Sequence, residues 1–446
     1  MLDKNTLLEF FYKGIKSVDN LKIGTEHEKF ILNKDTLAPL NYYEKNGILD
    51  VFKSLMEYGW LPVTEGEKET IIGLRLNNQS ISLEPSGQIE LSGKPLNNIH
   101  ETCDEITNHL NQMKKISTKH NFILLGMGVE PSLALKNFTL MPKDRYNIMN
   151  NYMSITGTKG LDMMKRTCST QINFDFHSEE DMIKKFRVLM SLESIGTAIF
   201  ANSPFEYRKL SSYKSLRSYF WQKTDNERTG ILPFIFNEDF NFEKYVEYAL
   251  KVPMYFVKRN NKYIDVTGSN FKDFIKGDLK KLKGVKATYE DWSDHLTTLF
   301  PQVRLKQVLE IRSMDACSWK EICSQPAFWT GIIYDQDSLD EAWDICNKWT
   351  NDDRLYLYNN VPKYGLQTKF KKNNVLEIAK IFFDLSLRGL RNRNFKSKKY
   401  EYNETKYLDV LSRNLAKGQS PADISIDDLK KENNKNFNII YKENIF

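Results

Sequence analysis

Three short stretches carry carboxylates at spacings that a strand would aim to one side. "IGTEHEKFIL" (23–32) holds Glu26 and Glu28, "SLEPSGQIELSG" (82–93) holds Glu84 and Glu90, and "VLEIR" (308–312) sets Glu310 two residues from Arg312. Alternate residues of a strand share a face, so Glu26 and Glu28 point the same way with their backbones roughly 6.5 Å apart. On a wet face this needs no explanation, whereas a buried, unpaired carboxylate is costly. Each of the five glutamates is flanked by apolar residues bound for the opposite side, so the acidic faces are expected to line a cavity. Carboxylates crowded there repel and raise one another's pKa unless hard cations neutralise them. Oxygen-only donors suit Mg²⁺ or Mn²⁺ rather than Zn²⁺. Such an array holds nucleotide phosphates through metal ions, and the chain has no GxxxxGK[ST] loop, strand-borne GxGxxG, HExxH or GxSxG to suggest another route.

A second set is cationic and aromatic. It comprises Arg145 in "MPKDRYNIM", Arg217, Trp221 and Arg228 in "LRSYFWQKTDNERTG", and Tyr255 in "VPMYF". The planar guanidinium fork suits a carboxylate or phosphate. A lone arginine is most often a surface ion pair, but the run Tyr219, Phe220, Trp221 makes a pocket wall the better reading here.

The elements that must position these groups are legible as patterns. A helix is expected over 5–18, a strand over 21–32, and an antiparallel meander over 68–93. In "IHETCDEITNHLNQMKKI" the residues Ile99, Cys103, Ile106, Leu110 and Met113 step by four and three, so a helix turns Cys103 to the core. Strands follow at 122–129 and 166–176, the latter with Gln171, Asn173 and Asp175 on one face. A helix covers 181–202, and an alternating strand ends near 315. Ser338 and Glu341 stand at capping-box spacing and are read as a helix start. The Asn/Lys-rich tail "KKENNKNFNIIYKENIF" is expected to be loosely held. With no internal repeat and no long linker, residues 1–446 read as one α+β catalytic domain, its last ~60 residues a helical C-terminal portion.

Composition narrows the class. No apolar run is long enough to span a bilayer, so no membrane role is expected. A net charge of +6 over 446 residues is too small for a dedicated nucleic-acid binder. The basic stretch 387–402 is read as a solvated helix end; nucleic-acid binding through it is the competing idea, and it leaves five strand glutamates unexplained. The five cysteines (103, 168, 317, 323 and 346) form no CxxC and suggest reduced thiols. The opening "MLDKNTLLEFFYKGIKS" lacks a signal peptide's apolar region, which suggests a cytoplasmic protein.

Taken together, "GTEHEKF", "QSISLEPSGQIELSG", "MPKDRYNIMNNYM", "LDMMKRTCSTQINFDF", "DNERTGILPF", "YALKVPMYF" and "HLTTLFPQVRLKQVLEIRSMDA" resemble the glutamate–cysteine ligases of plant and proteobacterial type, in order from about residue 21 to 365. The resemblance implies a glutamine synthetase-like carboxylate–amine ligase fold, a curved antiparallel sheet with surrounding helices. It implies ligation of the glutamate γ-carboxylate to the cysteine amine with ATP and Mg²⁺ (or Mn²⁺), through a γ-glutamyl phosphate, as the first step of glutathione synthesis. By the same likeness Glu26, Glu28, Glu84, Glu90 and Glu310 form the metal site, with Arg312 beside them for phosphate. Arg145, Arg217, Trp221 and Tyr255, and more weakly Arg228, bind the substrates. Cys103 and Cys323 match a cysteine pair that plant enzymes use as a redox-sensitive disulfide, while a reduced contact in the core competes with that reading. Cys168 falls near the cleft by the likeness, although a buried thiol is its expected role. Where the family has two glycines, this chain has "PSG", with Ser86 in place of one. The absence of a recognisable plastid leader suggests a bacterial cytoplasmic enzyme, either monomer or homodimer. A ligase using another amine acceptor is the alternative.

Overall fold

Alternation of apolar and polar residues builds one large antiparallel sheet. The computed structural model describes residues 2–397, 399 and 401–446. Nine strands contribute: β1 (Ile23–Asn33), β2 (Leu61–Glu65), β3 (Thr70–Leu76), β4 (Gln79–Leu83), β5 (Ile89–Ser92), β6 (Phe122–Leu125), β7 (Ser169–Phe174), β8 (Val303–Leu305) and β9 (Leu309–Asp315). Their order is β8-β9-β7-β1-β5-β4-β3-β2, with β6 pairing to the far end of β1. Every pairing is antiparallel, and the register slips in two places, between Ile311 and Met314 on β9 and between Val63 and Thr64 on β2. Such bulges bend a strand and strengthen its twist.

One face of the sheet is apolar and covered by helices. Ile81, Leu83, Ile89 and Leu91 pack with Val51, Phe52 and Leu55 of helix Ile48–Met56 and with Ile106, Leu110 and Met113 of helix Ile99–His120. Towards the other edge Ile172, Phe174, Leu309 and Ile311 meet helix Glu179–Ile199 and helix Ser324–Ile333. The opposite face carries the polar residues and is roofed by three short helices, Asp144–Met153, Gly160–Arg166 and Leu216–Gln222, with Met153, Met163, Met164, Leu216 and Phe220 packed among them.

Three local expectations are corrected. The opening helix stops at Tyr12, well short of residue 18. The helix placed at 338 begins two residues earlier, at Gln336, because Asp335 is its cap and accepts from the Ser338 N–H. The tail is not loose: helix Asn438–Asn444 buries Ile440 and Tyr441, and Ile445 bridges to Leu125 of β6. In the basic stretch Arg388 and Arg393 are paired with Glu341 and Glu404, and Lys398 and Tyr400 lie outside the described residues. Among the described residues, no helix is long and apolar enough to cross a membrane.

Candidate active site

Register brings the carboxylates together. Glu28 lies directly opposite Glu90, Glu26 sits between Ser92 and Gln171, and Glu310 lies opposite Asn173. Because neighbouring strands keep their pleats in phase, these side chains leave the same face. Glu26, Glu28, Glu84 and Glu90 line one cavity beneath the roof helices. Their hydrogen bonds come from neutral donors. Asn173 donates to Glu26 at 3.0 Å, the Ser169 N–H and Gln171 donate to Glu28 at 2.6 and 2.9 Å, and Ser82 and Ser92 donate to Glu90 at 3.0 and 2.9 Å. Burial, and then the neighbouring carboxylates, push Glu26 and Glu28 up to about 7. Glu84 and Glu90 are raised for the same reasons.

The turn that delivers Glu84 is held by Gln88, whose Oε1 accepts from the Ser86 N–H and whose Nε2 donates to the carbonyls of Met164 and Thr167. Gly87 takes φ +89°, a conformation that favours glycine, so the retained glycine is the one the turn needs. Ser86 is simply buried beside it.

Cations close the other side of the cavity. Arg145, Arg217, Trp221 and Arg312 all line it, as does Arg304, which the sequence pattern did not single out. Arg217 donates to the carbonyls of Ser313 and Arg312 at 3.1 and 2.9 Å. Among the described residues its Nε has no partner, nor do Arg145 Nε, Arg304 Nε and Trp221 Nε1. Buried donors are normally satisfied, so four orphans around one cavity mark it as built for an acceptor-rich ligand. Helix Leu216–Gln222 presents Arg217 and Trp221 one turn apart, and its cap Ser215 is bonded to Asp315 of β9 at 2.9 Å.

Three expected site residues stand differently. Glu310 is fully buried outside the cavity lining, and its two oxygens take Arg304 at 2.7 Å, Lys306 at 3.0 Å and Arg312 at 2.9 Å. Those cations outweigh its burial and hold it well below the ordinary carboxylate range. In this arrangement both its oxygens are taken by Arg304, Lys306 and Arg312, and neither is left free for a metal. Arg228 is not at the cavity: Asp225 and the carbonyls of Thr298 and Pro253 use its guanidinium, which stacks 3.8 Å from the Tyr255 ring. Tyr255 stands behind the wall, edge-on to Tyr152, with its hydroxyl unpartnered. Cys168 is buried outside the lining, and burial raises its thiol pKa well above normal. Cys103 and Cys323 form a disulfide with Cα atoms 5.9 Å apart, so these two are not the reduced pair that the sparse cysteine count suggested.

The donor set fits a hard divalent cation. Four carboxylates share one cavity, among the described residues none of them has an ion pair, and desolvation and then neighbouring carboxylates raise each toward protonation. A cation supplies what their neutral hydrogen-bond partners do not. Among the described residues no three His, Cys, Asp or Glu side chains are already converged on a common point.

Arg304 escaped the sequence reading because one arginine in "PQVRLK" has no distinguishing neighbour. The signal that would find it is its register, since it lies opposite Glu310 on the adjacent strand. Gln171 and Asn173 were placed on a polar face by alternation, and the structure makes them the carboxylates' donors.

Comparison with known proteins agrees with this geometry. The model of glutamate–cysteine ligase family 2 matches residues 22–438. Glutamate–cysteine ligase B of Oryza sativa subsp. japonica is 46% identical over 423 residues, covering 95% of this chain and 83% of that protein. The Arabidopsis thaliana glutamate–cysteine ligase is 43% identical over 449 residues, covering 100% and 83%. The crystal structure of a Francisella tularensis glutamate–cysteine ligase in complex with AMP has the same fold, with a TM-score of 0.55 at 15% identity and coverage of 96% and 88%. Both plant relatives are named chloroplastic, which overturns the expectation of a cytoplasmic location. With nearly the whole sequence matched, the chain belongs to glutamate–cysteine ligase family 2.

Proposed function

We propose that the cavity over β1, β5 and β7 is where this ligase joins the γ-carboxylate of glutamate to the amine of cysteine at the expense of ATP. The product is γ-glutamylcysteine, the first intermediate of glutathione synthesis. The observation that carries this placement is the cavity itself, lined by four carboxylates and by four orphaned donors on Arg145, Arg217, Trp221 and Arg304.

Arg145 and Arg217 grip substrate carboxylates with their forks, and Trp221 closes the wall beside them. The γ-carboxylate of glutamate attacks the γ-phosphorus of ATP, releasing ADP and leaving an acyl phosphate. The cysteine amine then attacks the acyl carbon and phosphate departs. Arg304 and Arg312, held in place by Glu310, balance the charge that builds on the transferred phosphoryl group. Glu26, Glu28, Glu84 and Glu90 would hold Mg²⁺, which when bound supplies charge neutralisation to the polyphosphate. Tyr255 backs this wall, and residues 1–446 act as one catalytic unit.

The test is ADP release with Mg²⁺ and ATP, adding glutamate and cysteine singly and together. Release that needs both, with a γ-glutamylcysteine mass in the product, is the expected result. Release supported by a different amine keeps the mechanism and changes the acceptor; none under any combination removes the proposal.

A further inference from the structure

One charged residue of the acidic strand is unused by this mechanism and unexplained by ordinary packing. Lys29 follows Glu28 on β1 and therefore points to the helix-covered face. Its side chain is wholly buried. The structure gives its ammonium one hydrogen bond, to the carbonyl of His27 two residues back at 2.9 Å, and an aromatic ring, Phe446, at 5.9 Å. No carboxylate lies within ion-pairing distance of it among the described residues. Its polar neighbours bring no compensating charge: both nitrogens of His27 and of His109 are buried without partners. A buried lysine is ordinarily paired, because desolvating an ammonium without a counter-charge is costly.

The missing counter-charge lies across the strand. Glu28 is the adjacent residue, and Glu90 faces Glu28 on β5, both aimed to the other side of the same sheet. The sheet between them is dry and packed, so charge on one face is weakly screened from the other. We propose that Lys29 is a positioning residue that acts electrostatically, a fixed counter-charge behind the sheet that offsets the carboxylate cluster when no divalent cation is bound and keeps that cation exchangeable when one is. Phe446 covers the ammonium on its outer side, and the acidic groups that act on it are the Cys168 thiol, which burial keeps protonated, and the carboxylates Glu90 and Glu28. This inference rests on the reading of Glu26, Glu28, Glu84 and Glu90 as the metal site.

It is tested by calorimetric titration of the nucleotide-free protein with Mn²⁺ at fixed pH, a measurement independent of turnover. Lys29→Met removes the charge and keeps the length of the chain. Lys29→Gln removes the charge and keeps a donor for the His27 carbonyl, so it serves if the first variant does not fold. Removing a positive charge from behind the carboxylates is expected to tighten Mn²⁺ binding by roughly three- to tenfold in either neutral variant, while Lys29→Arg titrates like the parent. Unchanged Mn²⁺ affinity in the folded neutral variants, with wild-type binding intact, overturns the role of Lys29 and leaves the metal site standing. A wild-type protein that takes up no Mn²⁺, with Glu28→Gln indistinguishable from it, overturns the metal site and this inference together.

Discussion

At the scale of single residues, the chemistry is decided by which charges find partners. Glu26 and Glu28 are half-buried in the cavity wall, where desolvation and then the neighbouring carboxylates push both up to about 7 from an ordinary value of 4.5. A carboxyl whose folded pKa is raised binds more protons in the native than in the unfolded state between those two values. The metal-free protein is therefore expected to lose stability as pH rises from about 4.5 to 7. Added Mg²⁺ should raise the melting temperature more at pH 8 than at pH 5.5. Thermal melts with chelator and with Mg²⁺ at the two pH values check this, and equal shifts would contradict it. Glu28→Gln should lower turnover by at least about a hundredfold in a protein that still melts cooperatively, since it removes a charge from the cavity and no core contact. Arg217→Lys loses the fork and should raise KM for glutamate or cysteine by about tenfold with KM for ATP little changed. Near-parental amino-acid KM values in steady-state assays would take Arg217 out of the substrate site. At this scale the sequence revealed much: alternation alone placed Glu26, Glu28 and Glu90 on one side. Asp225 and Arg228 stand three residues apart, and Lys306 and Arg312 stand four and two residues from Glu310, but spacing alone does not say whether such groups pair with each other or face a cavity, and Arg304 joins Glu310 only through the register of the paired strand.

At the scale of elements, the sheet and helix Leu216–Gln222 do the positioning, and Asp315 joins them. Its carboxylate accepts from the Asn202 N–H at 2.8 Å, from Ser203 at 2.7 Å and from Ser215 at 2.9 Å, and Arg217 lies 3.9 Å away. Asp315→Ala would leave these donors and a buried arginine without their acceptor, a change expected to cost about 3 kcal/mol. Because the helix carries both Arg217 and Trp221, amino-acid KM values should rise along with that loss; denaturant titration and steady-state kinetics read the two effects. Strand and helix existence was legible from period, as at Ile99–His120, where the predicted apolar stripe is the buried one. Boundaries were less so. Ser338 has capping-box spacing to Glu341, yet Asp335 three residues earlier is an equally good cap, and packing of Leu339 and Ala342 against the core selects it. The tail "FNIIYKENIF" was misread because its polar neighbours mask Phe437, Ile439, Ile440, Tyr441 and Ile445, which find a surface only after β6 is in place.

At the scale of the whole molecule, distant segments are tied by a few links. The Cys103–Cys323 disulfide spans 220 residues and fastens the helix behind the acidic strands to the start of helix Ser324–Ile333. Closing so long a loop restricts the unfolded chain strongly, so Cys323→Ser, compared with the oxidised parent, should lower stability by about 2–5 kcal/mol in denaturant. Equal midpoints would show that the link carries no stability. The overall fold class was legible because the meander and the amphipathic helices are local patterns. The pairing of β7 with β1 and of β9 with β7 was not, since it depends on segments more than a hundred residues apart.

That separation also sets a schedule. All four cavity carboxylates, at 26, 28, 84 and 90, lie at or before residue 90, whereas Arg145, Arg217, Arg304 and Arg312 follow far behind. A chain emerging from the ribosome thus makes its acidic half-site long before the arginines that face it exist, and of the charged groups near that half-site Lys29 is among the few made at the same time. Strand pairings this far apart in sequence close slowly. Recovery of activity on refolding should accordingly trail the recovery of helical signal, because the last partners to arrive are those that complete the cavity.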